Sequence, residues 1–450
     1  MSTKINNMTC GSPGKLILLF AIPLMLGNIF QQLYTLVDTM VVGQILGVSA
    51  LAALGAAEWL LFMVLGILSG MTQGFSILIA QYYGAKDTRH LKRAIAYSYL
   101  LTAILAAAVL LISQLCVEKL LIFLNTPDNV IAMSLTYLRI VFLGIPVIAA
   151  YNVLASILRA LGNSRSPLIA MIVAACINVV LDLLFVAVFH LGVSGAAIAT
   201  VIAQGFSAIY CYCVLHGIEE ARLRKEDFQP DCHLVFRLLY LGIPMAFQNM
   251  VIAIGGMVVQ YVINGYGFLF VAGFTATNKL YGILELAATS YGYALTTYVG
   301  QNLGAGKYDR IKKGVGNGAL MAILTSLVIS VIMVLAGRFI LSWFVSGDPV
   351  QVTQVLDIAY QYLFIMAVFL WILYLLHAYR SSIQGLGNTM IPLISGVIEF
   401  IMRVIVALFL PKLVGDQGIF FAEVCAWSGA AVLLIASYYW MMRHKASTSI

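Results

Sequence analysis

Leu161-Gly162-Asn163, followed by Pro167, returns as Leu386-Gly387-Asn388, followed by Pro392, 225 residues later. Other landmarks keep nearly the same step. Ile22-Pro23 recurs as Ile243-Pro244 after 221 residues, and Gln81-Tyr82-Tyr83-Gly84-Ala85 recurs as Gln301-Asn302-Leu303-Gly304-Ala305 after 220. Each copy of the last phrase is followed by a basic cluster, and the small drifts in the step read as loop insertions. Repetition of so long a unit in an apolar chain implies two copies of one membrane unit, the arrangement of carriers that move one half against the other around a central site.

Composition identifies the solvent. The 450 residues are 62% hydrophobic and 10% charged, with a mean hydropathy of +0.99, whereas a soluble domain carries about 25% charge. Twelve apolar runs are each long enough to cross a hydrocarbon core of roughly 30 Å. They span 16–42, 48–72, 91–114, 130–153, 167–189, 194–216, 237–262, 269–297, 312–337, 353–376, 389–411 and 418–441. Their uniform apolarity indicates helices, because barrel strands alternate over about ten residues. The expected fold is an all-α integral membrane protein with twelve transmembrane helices in two pseudo-symmetric six-helix lobes. Residues 1–216 form one lobe, 217–236 a solvated cytoplasmic linker rich in Glu, Arg and Lys, and 237–450 the other lobe.

The net charge of +7 is a topology signal that calls for no nucleic acid. Nineteen of the 25 Lys and Arg residues, among them Lys4, Arg89, Arg93, Arg224, Lys307, Arg310 and Arg380, fall on the segments that would face inward. Only Lys119, Arg338 and Lys412 fall on outer loops, which puts both termini on the cytoplasmic side of a plasma membrane. The first apolar run is too long for a cleaved signal and reads as a retained helix. Gly14-Lys15 and Gly306-Lys307 lack the upstream glycine and the Ser or Thr of a phosphate-binding loop, so no ATPase motor or cofactor is implied. The six scattered histidines form no H-E-x-x-H, and an enzyme is not indicated.

Ionisable residues inside the spans carry the functional signal, since each costs roughly 2.5–3.5 kcal/mol at mid-membrane on insertion scales. They are Asp38, Glu58, Asp182, Lys279, Glu285, Glu399, Arg403 and Glu423. Asp38 lies 23 residues beyond Lys15, about 34 Å along a helix. Asp182 lies 15 residues beyond Pro167, about 22 Å, with Asn178 one turn earlier on the same face. Thr200 on the sixth span and Tyr137 on the fourth come to the same layer. Two carboxylates, an amide oxygen, a hydroxyl and a phenol make a site for a hard cation or a proton. The bland alternative for Asn178 and Thr200 is interhelical glue, worth about 0.6 kcal/mol each.

The Ile-Pro pair, Val37-Asp38-Thr39-Met40-Val41-Val42-Gly43, Leu51-Ala52-Ala53-Leu54-Gly55 and the doubled Leu-Gly-Asn phrase resemble, in order and register, the MATE (multidrug and toxic compound extrusion) transporters. The resemblance implies two six-helix lobes around a cavity, and export of organic cations, drugs or other amphiphiles in exchange for H⁺ or Na⁺. Asp38, Tyr137, Asn178, Asp182 and Thr200 match the cation-site pattern of the DinF-like branch, with Na⁺ held by Asp38, Asn178, Asp182 and Thr200 if sodium is the coupling ion. The NorM-like branch instead places acids on the seventh and tenth spans, where this chain has Gln248 and Leu373-Tyr374.

In the second half, Glu285 lies 16 residues beyond Leu269, about 24 Å. With Tyr281, Tyr291 and Tyr293 nearby it suits a cationic substrate, each ring contact adding about 0.5–2 kcal/mol. Glu399 and Arg403 stand at i,i+4 and are expected to neutralise each other. Glu58 and Lys279 are related by the repeat, which makes a charge contact between lobes conceivable. Pro23 and Gly27 are the expected hinge of the first span. A single chain holds both lobes, so a functional monomer is expected. The rival reading, an exporter or flippase of lipid-linked precursors, would call for basic side chains in the cavity.

Overall fold

The computed structural model describes residues 7–124, 126–345 and 349–447, and every regular element among them is helical. Lys4 lies outside the described residues, as do the side chains of Leu51 and Lys445. Thirteen α-helices follow one another: α1 (Pro13–Leu46), α2 (Val48–Gly84), α3 (Thr88–Phe123), α4 (Asp128–Leu143), α5 (Ile145–Ala160), α6 (Arg165–Asp182), α7 (Val193–His216), α8 (Cys232–Asn264), α9 (Phe268–Gly304), α10 (Tyr308–Ser342), α11 (Pro349–Gly385), α12 (Met390–Val414) and α13 (Phe421–Ser447). They form the twelve spans of the expected fold. Several overrun the apolar runs by two or three turns.

The fourth span is α4 and α5 together, bent by 51° between Leu143 and Ile145. Pro146 enters the first turn of α5 and offers no N–H to the preceding turn. Gly144 at the bend passes so close to α7 that an added Cβ would stand 2.4 Å from Val201. Among the described residues, ten helices are long and apolar enough to cross a membrane, and the bent pair makes an eleventh span. The twelfth is α9, 37 residues long, whose Lys279, Glu285, threonines and tyrosines dilute its apolar character.

The doubled phrases are matched turns. After α5, Gly162 takes φ 92° and the Asn163 carboxamide accepts the Ser166 N–H at 3.0 Å. After α11, Gly387 takes φ 83° and Asn388 accepts the Ile391 N–H at 3.0 Å. Glycine supplies the left-handed residue, Asn caps the next helix, and Pro167 and Pro392 sit in first turns where no N–H is needed. The Gln-x-x-Gly-Ala phrases likewise end α2 and α9. There the left-handed position is filled by Gly306 in one copy and by Lys86 in the other.

The helices pack into two compact units. Unit 1 comprises Met1–Met8 and Ile22–Asn249; unit 2 comprises Thr9–Ala21 and Met250–Ile450. The boundaries therefore fall inside α1, beside Pro23, and inside α8, a turn and a half beyond Pro244. In unit 1 the start of α8 passes α2 almost backbone to backbone: a Cβ on Gly74 would meet the Gly242 Cα at 2.4 Å. The 217–236 connection is more ordered than a solvated linker. Ile218, Ala221 and Leu234 belong to the apolar core of unit 1 with Phe75, Ile157 and Leu215. Arg93 donates to the Gln229 side chain at 2.9 Å, and Tyr97 to the Gln229 carbonyl at 2.6 Å. At the matching place in unit 2, Lys307 donates to the Thr9 carbonyl and Arg310 to the Gly11 carbonyl, both at 2.9 Å.

Candidate functional site

In unit 1, α1, α4, α6 and α7 bring the five expected side chains to one neighbourhood. Asn178 and Asp182 are completely buried, Asp38 is 6% exposed and Tyr137 is 7% exposed. The Asn178 amide donates to the Thr200 hydroxyl at 3.4 Å. The charges of Asp38 and Asp182 act on each other and on the Tyr137 hydroxyl. Around them lies apolar packing that includes Val42, Leu138, Phe142 and Val186.

The acceptors greatly outnumber the donors here. Asp38 Oδ1, both carboxylate oxygens of Asp182 and the Asn178 carbonyl oxygen are buried with no hydrogen-bond partner among the described residues. An ionised carboxylate in that position costs several kcal/mol, and a proton or a small cation is the ligand that relieves it. The local backbone shares in the arrangement. Asp182 closes α6, and Leu183–Val188 continues as a π-helix, a wider winding often found at functional sites.

Two further polar groups adjoin the cluster. Tyr34 stands one turn before Asp38 and interacts with Gln204, Thr35, Gln31 and the Asp38 charge. Gln204 stands one turn after Thr200, with its buried carbonyl oxygen unpartnered. Both line a cavity of about 10 Å³ with Gln31, Tyr151, Met171, Ala174 and Ser207, about the smallest space that holds a water. The i±4 spacing to Asp38 and Thr200 was the available signal for them. Gly27 lies where α1 meets α6: a Cβ there would stand 3.1 Å from the Met171 sulfur. Pro23 sits inside α1, which is helical from Pro13 to Leu46. Glu58 is exposed.

Unit 2 handles its charges differently. Glu399 and Arg403 do not pair with each other. Arg380 of α11 donates to Glu399, and Arg403 donates to Glu423 of α13 at 2.8 Å. The helix axis sets this, because side chains at i,i+4 can each reach outward to separate neighbouring helices, and two better-matched partners stand there. Arg380 was expected on an inner segment, yet α11 runs on to Gly385 and keeps it buried.

Glu285 accepts from His377 of α11, with Nε2 3.3 Å from its Oε1. Nothing in the spacing of α9 and α11 pointed to His377. Tyr281 stacks on Trp427 with ring centroids 5.8 Å apart and feels the charges of Glu285, Glu423 and Arg403. Tyr291 is buried, its hydroxyl 3.0 Å from that of Thr325, while Tyr293 is partly buried. Gln248 and Tyr374 are buried, and Tyr374 donates to the Leu284 carbonyl at 2.8 Å. Lys279 is exposed and lines a separate cavity of about 260 Å³ with Phe268, Val271, Thr275 and Phe344.

Comparison with known proteins agrees with this architecture. The family model MatE matches residues 23–184 and 244–409, one match in each repeat. The probable multidrug resistance protein YpnP of Bacillus subtilis is 34% identical over 68% of this chain and 69% of its own length. YoeA of the same organism, also a probable multidrug resistance protein, is 30% identical over 73% of each chain. A MATE crystal structure in the bent conformation superimposes with a TM-score of 0.91 at 22% identity, covering both chains completely, which bears on the fold. Two matched repeats, the helical architecture and these relatives together show that the chain belongs to the MatE family.

Proposed function

We propose that this chain is an antiporter that exports organic cations, drugs or other amphiphilic xenobiotics by alternating access, driven by H⁺ or Na⁺. Its relatives' names as multidrug resistance proteins support the substrate class. The observation that carries the coupling is the set of buried, unpartnered oxygens on Asp38, Asn178 and Asp182, because such a set is stable only when a positive charge joins it. Tyr137 and Thr200 complete the cation site. If Na⁺ is the ion, Asp38, Asn178, Asp182 and Thr200 supply its hard oxygen ligands. The match at these five positions favours the DinF-like branch over the NorM-like one.

Ion binding from outside changes the charge beside α1 and shifts its bend near Pro23 and Gly27, which moves one lobe against the other. Return to the inward-facing state releases the ion to a cytoplasm that also holds both termini. One charge moving down roughly 100 mV supplies about 2.3 kcal/mol. Glu285, Tyr281 and Tyr293 receive the cationic substrate, backed by Tyr291. A single chain performs the cycle.

The rival, export of lipid-linked precursors, needs free cationic groups in the cavity. The deep guanidiniums Arg380 and Arg403 are instead held by carboxylates. The test is efflux of ethidium from vesicles containing the purified protein, with an H⁺ or a Na⁺ gradient imposed separately. Wild type should respond to one gradient and Asp38→Asn to neither. Undiminished efflux by Asp38→Asn would overturn the ion-site assignment.

A further inference from the structure

Beyond the coupling site of unit 1, unit 2 holds an ionisable group that the cycle above leaves unused. His377 faces Glu285 at 3.3 Å, and Glu285 is the most exposed member of a charge network in unit 2. Side-chain exposure is 34% for Glu285 against 6% for Glu399 and 16% for Glu423, and 14% for His377 against 8% for Arg380 and 7% for Arg403. Glu285 also feels the charges of Arg380 and Arg403.

Every helix packed around the pair adds to the account. From α9 come Glu285 and the Tyr281 phenol; from α11, His377, Arg380 and the Tyr374 phenol, which interacts with Glu285. From α12 come Glu399 and Arg403, and from α13, Glu423. The stretch of α10 from Gly314 to Gly337 has no ionisable side chain, and neither does the unit 2 part of α8 apart from the exposed Tyr261. Three carboxylates thus face two guanidiniums. With His377 neutral the network keeps one negative charge, located at its exposed member, Glu285. With His377 protonated the network is neutral.

We propose that Glu285 and His377 form a second, exchangeable site at which a proton on His377 and a monovalent organic cation on Glu285 exclude each other. Binding of the cation at the Glu285 carboxylate, beside the Tyr281 ring, repels the imidazolium. His377 then gives one proton to water and remains as a neutral ring. Protonation reverses the exchange: the imidazolium takes the carboxylate as its partner, and the organic cation loses its counter-charge in a low-dielectric site. This rests on the export reading given above, and adds to it that the substrate is a monovalent cation and that unit 2 contributes its own proton.

The experiment is equilibrium binding of radiolabelled tetraphenylphosphonium, which does not titrate, to the protein in nanodiscs from about pH 5 to 8.5, the interval in which imidazoles change charge. Wild type should lose affinity as pH falls, by up to about tenfold per unit for a one-proton exchange. His377→Gln should bind with a markedly shallower dependence on pH than wild type, one exchangeable proton having been removed. His377→Lys, a fixed positive charge, should bind weakly at every pH, and Glu285→Gln should lose most binding while eluting as a monodisperse protein. A wild-type slope in His377→Gln overturns the proposal. Absence of any tetraphenylphosphonium binding by wild type overturns the cation-export reading beneath it.

Discussion

Unit 1 and unit 2 both bury carboxylates within membrane-spanning helices and treat them in opposite ways. Asp38 and Asp182 keep oxygens without partners among the described residues. Glu399 and Glu423 each hold a guanidinium, and Glu285 holds a histidine. A buried acid with a permanent cationic partner is a fastener whose charge is fixed. One without a partner is relieved by a positive charge taken from the medium, which is the basis of the coupling proposed above. The two halves of a duplicated chain have thus come to carry different electrostatics on a common helical frame. Asp38 corresponds to Val259 under the 221-residue step, and Asp182 to Ala407 under the 225-residue step.

The contrast breaks most sharply if neutralising the two kinds of acid has the same consequence. Asp182→Asn should bring ion-driven efflux down to the background of empty vesicles while leaving the thermal unfolding midpoint equal to or above wild type, because it removes a buried charge that lacks a partner. Glu399→Gln should do the reverse at the level of the fold. It strands Arg380, which costs about 3–5 kcal/mol, visible as a lower midpoint in detergent. Equal loss of stability in both variants would mean that Asp182 is also a fastener.

Removing both members of a fastener sharpens the point. Arg403→Met alone should destabilise by about 3–5 kcal/mol, and Arg403→Met combined with Glu423→Leu should recover most of that. A double variant no better than the single would show that Arg403 is held by more than Glu423. Backbone contacts come next in size. Gly74→Ala in unit 1 forces a Cβ to within 2.4 Å of the Gly242 Cα and should cost about 1–3 kcal/mol as overpacking of two helices, measured by the same thermal assay.

The smallest effect is expected at a helix cap outside the membrane. Asp87 accepts the His90 backbone N–H at 3.1 Å and faces the His90 ring at 2.7 Å. Partial burial works against its ionised form, but these bonds prevail and hold its carboxyl below the usual range. A carboxyl lowered in the folded state stabilises above its unfolded pKa, and that contribution disappears as pH falls through the folded value. Asp87→Asn should therefore flatten a slight loss of stability on acidification below about pH 4, leaving the neutral-pH midpoint nearly unchanged.

Much of the molecule is legible in its residues because the bilayer leaves few choices. Apolar runs of sufficient length must be helices, since backbone groups in hydrocarbon need internal partners, so twelve spans follow from composition. The Gly-Asn-Pro turns follow because a left-handed residue, an amide cap and a missing N–H are local requirements met by local chemistry. Asp38 and Asp182 also stand out by depth alone, since a charge at that depth demands an explanation. The i±4 partners Tyr34 and Gln204 carry the same periodicity but, being uncharged, give no such signal.

The helical fold, the duplication and the intramembrane acids are thus set by solvent and chain geometry acting along one helix at a time. The pairings appear first in the packed molecule: Arg380 with Glu399 rather than Arg403, Arg403 with Glu423, and His377 with Glu285. The packing also placed the unit boundaries inside α1 and α8, away from the 217–236 connection. Partner choice among buried charges depends on the rotation of each helix about its axis and on which neighbours it faces. Those are properties of the packed bundle, and no single span records them.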